Sequence, residues 1–337
     1  MASPITKLAL LVGGGPAPGI NGVISSVTIE ALNNGIQVFG VRDGFRNLVK
    51  CKRDAFKPLG MEDVRGLHFR GGSILGTART NPTKDPADMK NVLDTFRAME
   101  VDSLVTIGGD DTAYSASQVY RIAGGAIRVA HVPKTIDNDL PLPGSTPTFG
   151  FETARQIGTA IVRNLAEDAR TTSRWYLVVS MGRAAGHLAL GIGKASAATL
   201  TIIPEEFRGR EVTLNELCDI IIGSIIKRKA KGQEYGVVVL AEGLIGALGE
   251  KALAAGMESS GVLGRYGTVV RDPHGHLRLH IEEGQAPAPV YGVGAGLAAQ
   301  LAQQATLQTL MQEGKVHVRH RIGFGEDANR ARVRIDL

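Results

Sequence analysis

Short apolar runs alternate with longer segments of helical spacing from the start of the chain. Lys7–Val12 reads as a buried strand, followed by a glycine loop and a helix from about Asn21 to Asn33. Gly35 then stands where a helix C-cap is wanted, and Ile36–Val41 is the next strand. Val92, Leu93, Phe96 and Met99 fall at helical spacing within Met89–Met99. Ser103–Ile107 and Ile127–Val132 read as strands on either side of a helix near Ala113–Ala123. Such alternation predicts parallel strands covered by helices, with ligands at the carboxyl ends of the strands.

Pro141, Pro143, Gly144 and Pro147 mark a break and a crossing to a second lobe. Glu152–Ala169 is expected as an amphipathic helix with Ile157, Ile161 and Leu165 on one stripe. Trp175–Ser180 and Tyr235–Ala241 are apolar enough for central strands, with a helix over Leu214–Arg228 between them. Gly256–Leu279 is glycine-rich and receives no element, and Leu297–Glu313 reads as a helix capped by Gly314. The fold class is therefore α/β: two Rossmann-like lobes with mainly parallel sheets covered by helices. The lobes are drawn at 1–140, with a return of the chain within 257–312, and at 141–256. Residues 313–337 form a tail with little apolar periodicity.

Composition narrows the classes. The chain has 337 residues, 43% hydrophobic and 21% charged, enough for two lobes with their own cores. No apolar run approaches the roughly 20 residues of a membrane span, and the N-terminus lacks a basic segment followed by a long apolar stretch. No membrane partner and no signal peptide are expected. Cys51 and Cys218 suggest neither a disulfide framework nor a metal site, so a reducing, cytoplasmic setting is expected. The net charge of +5 suits anionic ligands. It does not argue for nucleic acid, because aromatics are only 5% and no basic run appears.

Three strings carry the candidate chemistry. In Ile107-Gly108-Gly109-Asp110-Asp111-Thr112 the glycines allow close backbone approach, and a carboxylate at a strand end can hold Mg²⁺ beside phosphates. A second adjacent carboxylate repels a phosphorylated ligand unless it is fitted to a particular one; the same string is also ordinary turn chemistry. Ala130–Asp139 gathers a cation, a hydroxyl and two carboxylates at Lys134, Thr135, Asp137 and Asp139. If extended, it puts Asp137 and Asp139 on one side, one able to act as base and the other to support a metal. The alternative is a polar loop with an Asn-Asp turn. The glycine loop Gly13–Gly19 can offer N–H groups to phosphate, yet it lacks both the Walker ending and the G-x-G-x-x-G fingerprint. Arg79, after another glycine stretch, can clamp a phosphate through its planar fork.

Taken together, these strings resemble the phosphofructokinase family, in particular its pyrophosphate-dependent branch. The ATP-dependent branch usually has Gly where Asp111 and Lys134 stand. Further matches occur in order: Gly13–Asn21, Gly71–Arg79, Met181–His187 and Pro204-Glu205-Glu206. The resemblance runs from residue 7 to about residue 320. It implies transfer of a phosphoryl group from pyrophosphate to the C1 hydroxyl of fructose 6-phosphate, with Mg²⁺ as cofactor. Residues 1–140 would then hold donor and metal, and 141–256 the sugar phosphate. Gly14 and Arg79 would bind the donor, and Asp110, assisted by Asp139, the metal. Asp137 would be the general base, Thr135 would sit near the transferred group, and Asp111 with Lys134 would set donor choice. Arg174, Met181, Gly182, Arg183 and Glu242 would bind the sugar phosphate. Arg174 would do so across a subunit interface, which implies a homo-oligomer, a dimer or a tetramer. His187 receives no role beyond a packed or solvated histidine.

The resemblance fails at the end of the chain. Members of that branch carry a Gly-Tyr-Glu-x-Arg-like segment whose Arg grips the sugar 6-phosphate, whereas this chain reads Ile322-Gly323-Phe324-Gly325-Glu326-Asp327. Two other readings stand beside the first: an ATP-dependent phosphofructokinase, which Asp111 and Lys134 oppose, and, because of this ending, a catalytically weak paralog that binds phosphometabolites or partner subunits.

Overall fold

Strand β1 (Lys7–Val12) shows why the first sheet forms. Leu8, Leu10 and Val12 enter one apolar cluster, while Ala9 and Leu11 enter another on the opposite face. A strand buried on both faces belongs in the middle of a helix-covered parallel sheet. The computed structural model describes residues 5–248 and the strand backbones Thr268–Arg271, Leu277–His280 and Val316–Ile322. The chain divides into two compact units, Met1–Ile136 with Leu140–Thr153, and Asp137–Asp139 with the chain from Ala154 onward.

In the first unit β1 pairs in parallel with β2 (Gln37–Val41) and β4 (Ser103–Gly108), and β4 with β5 (Arg128–Thr135). Two short strands close the edges: β3 (Phe56–Pro58), antiparallel to β2, and β6 (Phe149–Gly150), parallel to β5. The order β3-β2-β1-β4-β5-β6 is that of a doubly wound sheet, whose direction of winding reverses between β1 and β4. Helix α1 (Ile20–Asn33) covers one face through Ile20, Val23 and Ile24. Short helices α2 (Phe45–Leu48) and α3 (Met61–Val64) follow β2 and β3. On the other face α4 (Pro86–Ala98) contributes Met89, Val92 and Phe96, and α5 (Asp110–Ala123) contributes Val119. Each such side chain stabilises the core by about 1.5–3 kcal/mol.

Helix α4 starts three residues before the predicted Met89. The Asp85 carboxylate caps it by accepting from Ala87 N at 2.8 Å, and Pro86 occupies the first turn. Helix α5 likewise starts at Asp110 rather than near Ala113. Both carboxylates of the Asp110-Asp111 pair thus lie in a first helical turn, where the partial positive charge of the helix N-terminus offsets their mutual repulsion.

Helix α6 (Phe151–Thr172) begins in the first unit and continues into the second. The expected core stripe is corrected here: Ile157 and Ile161 are 42% and 40% exposed. The buried positions are Ala154, Thr159, Val162 and Ala169, together with Gly158, whose added Cβ would lie 2.8 Å from Ile192 Cγ1. Small residues let α6 approach α7 (His187–Ser196) closely, and the larger isoleucines face outward.

The second sheet is built on β7 (Trp175–Ser180) and β9 (Gly236–Ala241), buried along their whole length and paired in parallel. Strand β8 (Leu200–Ile202) extends it beyond β9. Helix α8 (Leu214–Lys229) packs Leu217, Cys218, Ile221 and Ile225 against it, capped by the Thr213 hydroxyl, which accepts from Glu216 N at 3.2 Å. A single turn, α9 (Leu244–Ala247), follows β9. Strands β10 (Thr268–Arg271) and β11 (Leu277–His280) form an antiparallel pair. Strand β12 (Val316–Ile322) lies parallel to β7 at the sheet edge, from Val316 opposite Trp175 onward. The predicted helix Leu297–Glu313, the cap Gly314 and the segment after Ile322 lie outside the described residues. So does most of the stretch 257–312.

Candidate functional site

The turns that follow β1 and β4 meet at the carboxyl ends of their strands. Gly13 N donates to Ile107 O at 2.9 Å, and Gly14 N donates to Ala78 O at 3.0 Å. Gly14 has φ +83°, a conformation that favours glycine. The Thr77 hydroxyl donates to Gly14 O at 2.8 Å, which ties the Gly71–Arg79 stretch to the same loop. Asn21, 2% exposed at the start of α1, holds that stretch from below: its amide donates to Arg70 O and Gly71 O at 3.0 Å, and its carbonyl accepts from Ile74 N at 2.9 Å.

Two cations converge on this loop. Lys134, 4% exposed near the end of β5, donates from its ammonium to Gly15 O. A Cβ on Gly14 would lie 3.8 Å from Lys134 Nζ, and one on Gly15 would lie 3.6 Å from an Arg79 guanidinium nitrogen. Gly14, Arg79 and Lys134 are therefore brought together at one turn. Asp110 and Asp111 are exposed on the first turn of α5, next to Gly109, whose added Cβ would lie 3.8 Å from Lys134 O. Thr112, which sequence reasoning passed over, is the wedge of this region. A Cβ on Gly108 would lie 2.5 Å from Thr112 Cβ, and one on Gly13 would lie 2.9 Å from Thr112 Cγ2. Both strand ends must be glycine for α5 to start where it does.

Strand β5 runs on to Thr135, whose carbonyl accepts from the Thr148 hydroxyl at 2.8 Å. The extended conformation then stops. Asn138 is left-handed at φ 54°, so the alternation that put Asp137 and Asp139 on one side does not apply. Asp137 is buried at 7% exposure, whereas Asp139 is exposed.

Within the second unit the short 137–139 segment is held against the turn after β7. Arg183 approaches Asp139 Oδ2 at 3.5 Å, and His187 Nδ1 lies 2.7 Å from Asn138 O. Arg183 is itself left-handed at φ 53°. Glu242, directly after β9, donates its N–H to Ser180 O at 2.9 Å, and a Cβ on Gly243 would lie 2.8 Å from both Arg183 O and Ala184 O. Met181, Gly182, Arg183 and Glu242 thus gather at the carboxyl ends of β7 and β9, as predicted. Arg174 does not join them. It precedes β7, at the opposite end of a six-residue strand, about 20 Å away at the usual rise.

Burial, reinforced by the neighbouring Glu205 charge, pushes the Glu206 carboxyl up from its ordinary value. Both cysteines are free; burial, with Asp219 nearby, pushes the Cys218 thiol up to about 11. Among the described residues no three His, Cys, Asp or Glu side chains gather as a metal cage, and no helix is long and apolar enough to cross a membrane.

A doubly wound sheet that carries a glycine turn, a buried ammonium and a guanidinium at its switch point is an α/β architecture whose strand ends are suited to an anionic ligand. The chain belongs to the phosphofructokinase family, whose sequence model, "Phosphofructokinase", matches residues 7–305. It is 56% identical over 273 residues to the pyrophosphate–fructose 6-phosphate 1-phosphotransferase of Thermotoga maritima, covering 81% of this chain and 63% of that protein. It is 49% identical to the protein of the same name from Naegleria fowleri, covering 82% of this chain and 63% of that protein. The chain thus spans under two thirds of the length of these two relatives. The Pichia pastoris phosphofructokinase structure in the T-state superposes with TM-score 0.63 at 28% identity, over 72% of this chain and 26% of that one. The pyrophosphate-dependent phosphofructokinase structure from Nitrosospira multiformis gives TM-score 0.65 at 18% identity, over 97% and 70%; this supports the fold.

Proposed function

We propose that the chain transfers a phosphoryl group from pyrophosphate to the C1 hydroxyl of fructose 6-phosphate, reversibly, giving fructose 1,6-bisphosphate and phosphate. The observation that carries this reading is the buried Lys134 ammonium beneath the Gly14-Gly15 turn, on the strand next to the one that ends in Gly108-Gly109-Asp110-Asp111. A compact cation there suits a compact donor. The Asp111 carboxylate, exposed on the first turn of α5, opposes the α-phosphate of a nucleotide by like charge. The names of the Thermotoga and Naegleria relatives support the same donor.

In this reading Gly14, Arg79 and Lys134 bind pyrophosphate, and Met181, Gly182, Arg183 and Glu242 bind the sugar phosphate. Asp137 takes the proton from the C1 hydroxyl as its oxygen bonds to the phosphorus. The bond to the bridging oxygen breaks, and phosphate leaves with the electron pair. Lys134 compensates the charge gathering on the donor. Thr135 lies two residues from Asp137 on the same segment, beside the transferred group. Phosphoryl transfer asks little covalent work of the protein, so positioning and charge supply most of the rate.

Mg²⁺ suits the donor set: it binds through one or two carboxylates plus substrate phosphates rather than in an all-protein cage. Asp110 would hold it, with Asp139 as the lesser contributor because Arg183 already engages it. When bound, the ion supplies neutralisation of the phosphate oxygens. The exposed Ile157 and Ile161 on α6, and the placement of Arg174 away from the other sugar-site residues, support a homo-oligomer. A sedimenting monomer at working concentration would remove that part. The two free cysteines suit a reducing, cytoplasmic setting, and cell fractionation checks it.

Asp137→Ala tests the base. Turnover should collapse while pyrophosphate binding by calorimetry persists; comparable turnover in the variant would remove Asp137 from the role.

A further inference from the structure

We propose that His187 is a positioning residue, which holds the Asp137–Asp139 turn in its working conformation by donating from Nδ1 to the main-chain carbonyl of Asn138. The proposal rests on the reading of Asp137 as base and adds a group that acts through the backbone rather than on substrate.

The geometry is built from both sides. His187 opens α7, and its Nδ1 lies 2.7 Å from Asn138 O, a group that can only accept. Nδ1 therefore carries the proton, which leaves Nε2 toward Glu205 Oε1 at 3.9 Å. Glu205 is fixed in turn, since Gly186 N donates to its two carboxylate oxygens at 2.8 and 3.1 Å. Gly186 is required there, because an added Cβ would lie 2.7 Å from Ile203 Cγ2. The carbonyl that His187 holds belongs to a left-handed residue, Asn138 at φ 54°, a conformation that is uncommon outside glycine. Asp137 lies immediately before it and is buried. A base must sit within about 0.5 Å of its productive position. The backbone conformation at Asn138 sets where the Asp137 side chain points. The Arg183–Asp139 ion pair holds the far side of the same turn at 3.5 Å, between side chains that are partly exposed. The His187 contact grips the main chain itself.

The test compares His187→Ala, His187→Asn and the unmodified chain. Asn places a donor nitrogen on the same Cγ position as Nδ1 and so can keep the bond. Two readouts are taken on each: steady-state kinetics with pyrophosphate and fructose 6-phosphate, and amide hydrogen exchange in the peptide containing Asp137–Leu140. For His187→Ala we expect kcat lowered by about three- to tenfold, the loss associated with one hydrogen bond. Pyrophosphate KM and the melting temperature should be unchanged, exchange at Asp137–Leu140 should be faster, and His187→Asn should restore both. A merely structural role would lower the melting temperature and leave kcat alone. Unchanged exchange and kcat in His187→Ala, or equal loss in His187→Asn, would overturn the proposal. If Asp137→Ala keeps its turnover, the base reading fails separately, and the exchange comparison still decides whether His187 holds the turn.

Discussion

Gly108→Ala tests the link between packing and chemistry in the first unit. The new methyl would sit 2.5 Å from Thr112 Cβ and 2.8 Å from Thr112 Cγ2, against an optimum of about 3.5–4.0 Å between carbons. The shortfall is roughly 1 Å at an atom bonded directly to the helix backbone, so no rotamer change relieves it. The first turn of α5 must move by about that much, carrying Asp110 and Asp111 with it. Overpacking of this kind destabilises by about 1–3 kcal/mol, and the urea midpoint should fall by about 1 M. A misplacement of about 1 Å in positioning groups lowers turnover by about 100-fold. The control is Gly22→Ala, in helix α1, where an added Cβ meets nothing within 4 Å. That change should be neutral or stabilising by about 0.5–1 kcal/mol. A Gly108→Ala protein with the unmodified midpoint and unmodified turnover would refute the reasoning.

Two further outcomes are expected. Asp111→Gly combined with Lys134→Gly should raise ATP use relative to pyrophosphate in paired kcat/KM measurements; an unchanged donor ratio would mean that these two residues do not control the choice. Burial, partly offset by a Gly108 backbone group, holds the His131 imidazole below its ordinary value of 6.5. Below pH 6.5 the unfolded chain therefore takes up a proton that the folded chain resists, and stability falls as the pH drops from there toward the folded value. Above that range both forms are neutral and the effect vanishes. His131→Asn removes the titration while keeping a nitrogen to face Thr106 Oγ1, now 2.8 Å from Nδ1. Denaturation midpoints of the variant should fall less steeply toward about pH 5; an identical slope would exclude His131 as the cause.

How far the sequence predicted the structure depended on whether a segment's burial matched its periodicity. Trp175–Ser180 and Lys7–Val12 were predicted to the residue because strands buried on both faces leave uninterrupted apolar runs. Helix α6 was predicted as a helix but assigned the wrong face, since hydrophobicity favours Ile157 while close packing selects Gly158. Helix α7 was passed over because Gly191 and Gly193 depress helix propensity. Gly193 is nonetheless required, since an added Cβ would lie 2.9 Å from Thr201 Cβ. Strand β12 carries an alternation of apolar and basic residues, Val316-His317-Val318-Arg319, that suits a sheet edge but is too short to stand out within a basic tail. In the site, the glycine turns and Lys134 were legible because their residue types are rare in combination. The left-handed Asn138 agrees with the alternative of an Asn-Asp turn rather than with an extended strand, but nothing local to Asp137-Asn138-Asp139 states that His187, 49 residues later, will hold its carbonyl.

The most direct measurement is phosphorylation of fructose 6-phosphate by the purified, folded chain, with pyrophosphate and ATP compared at saturating Mg²⁺. The account predicts turnover with pyrophosphate and little or none with ATP. Turnover with ATP, or none with either donor, would contradict it.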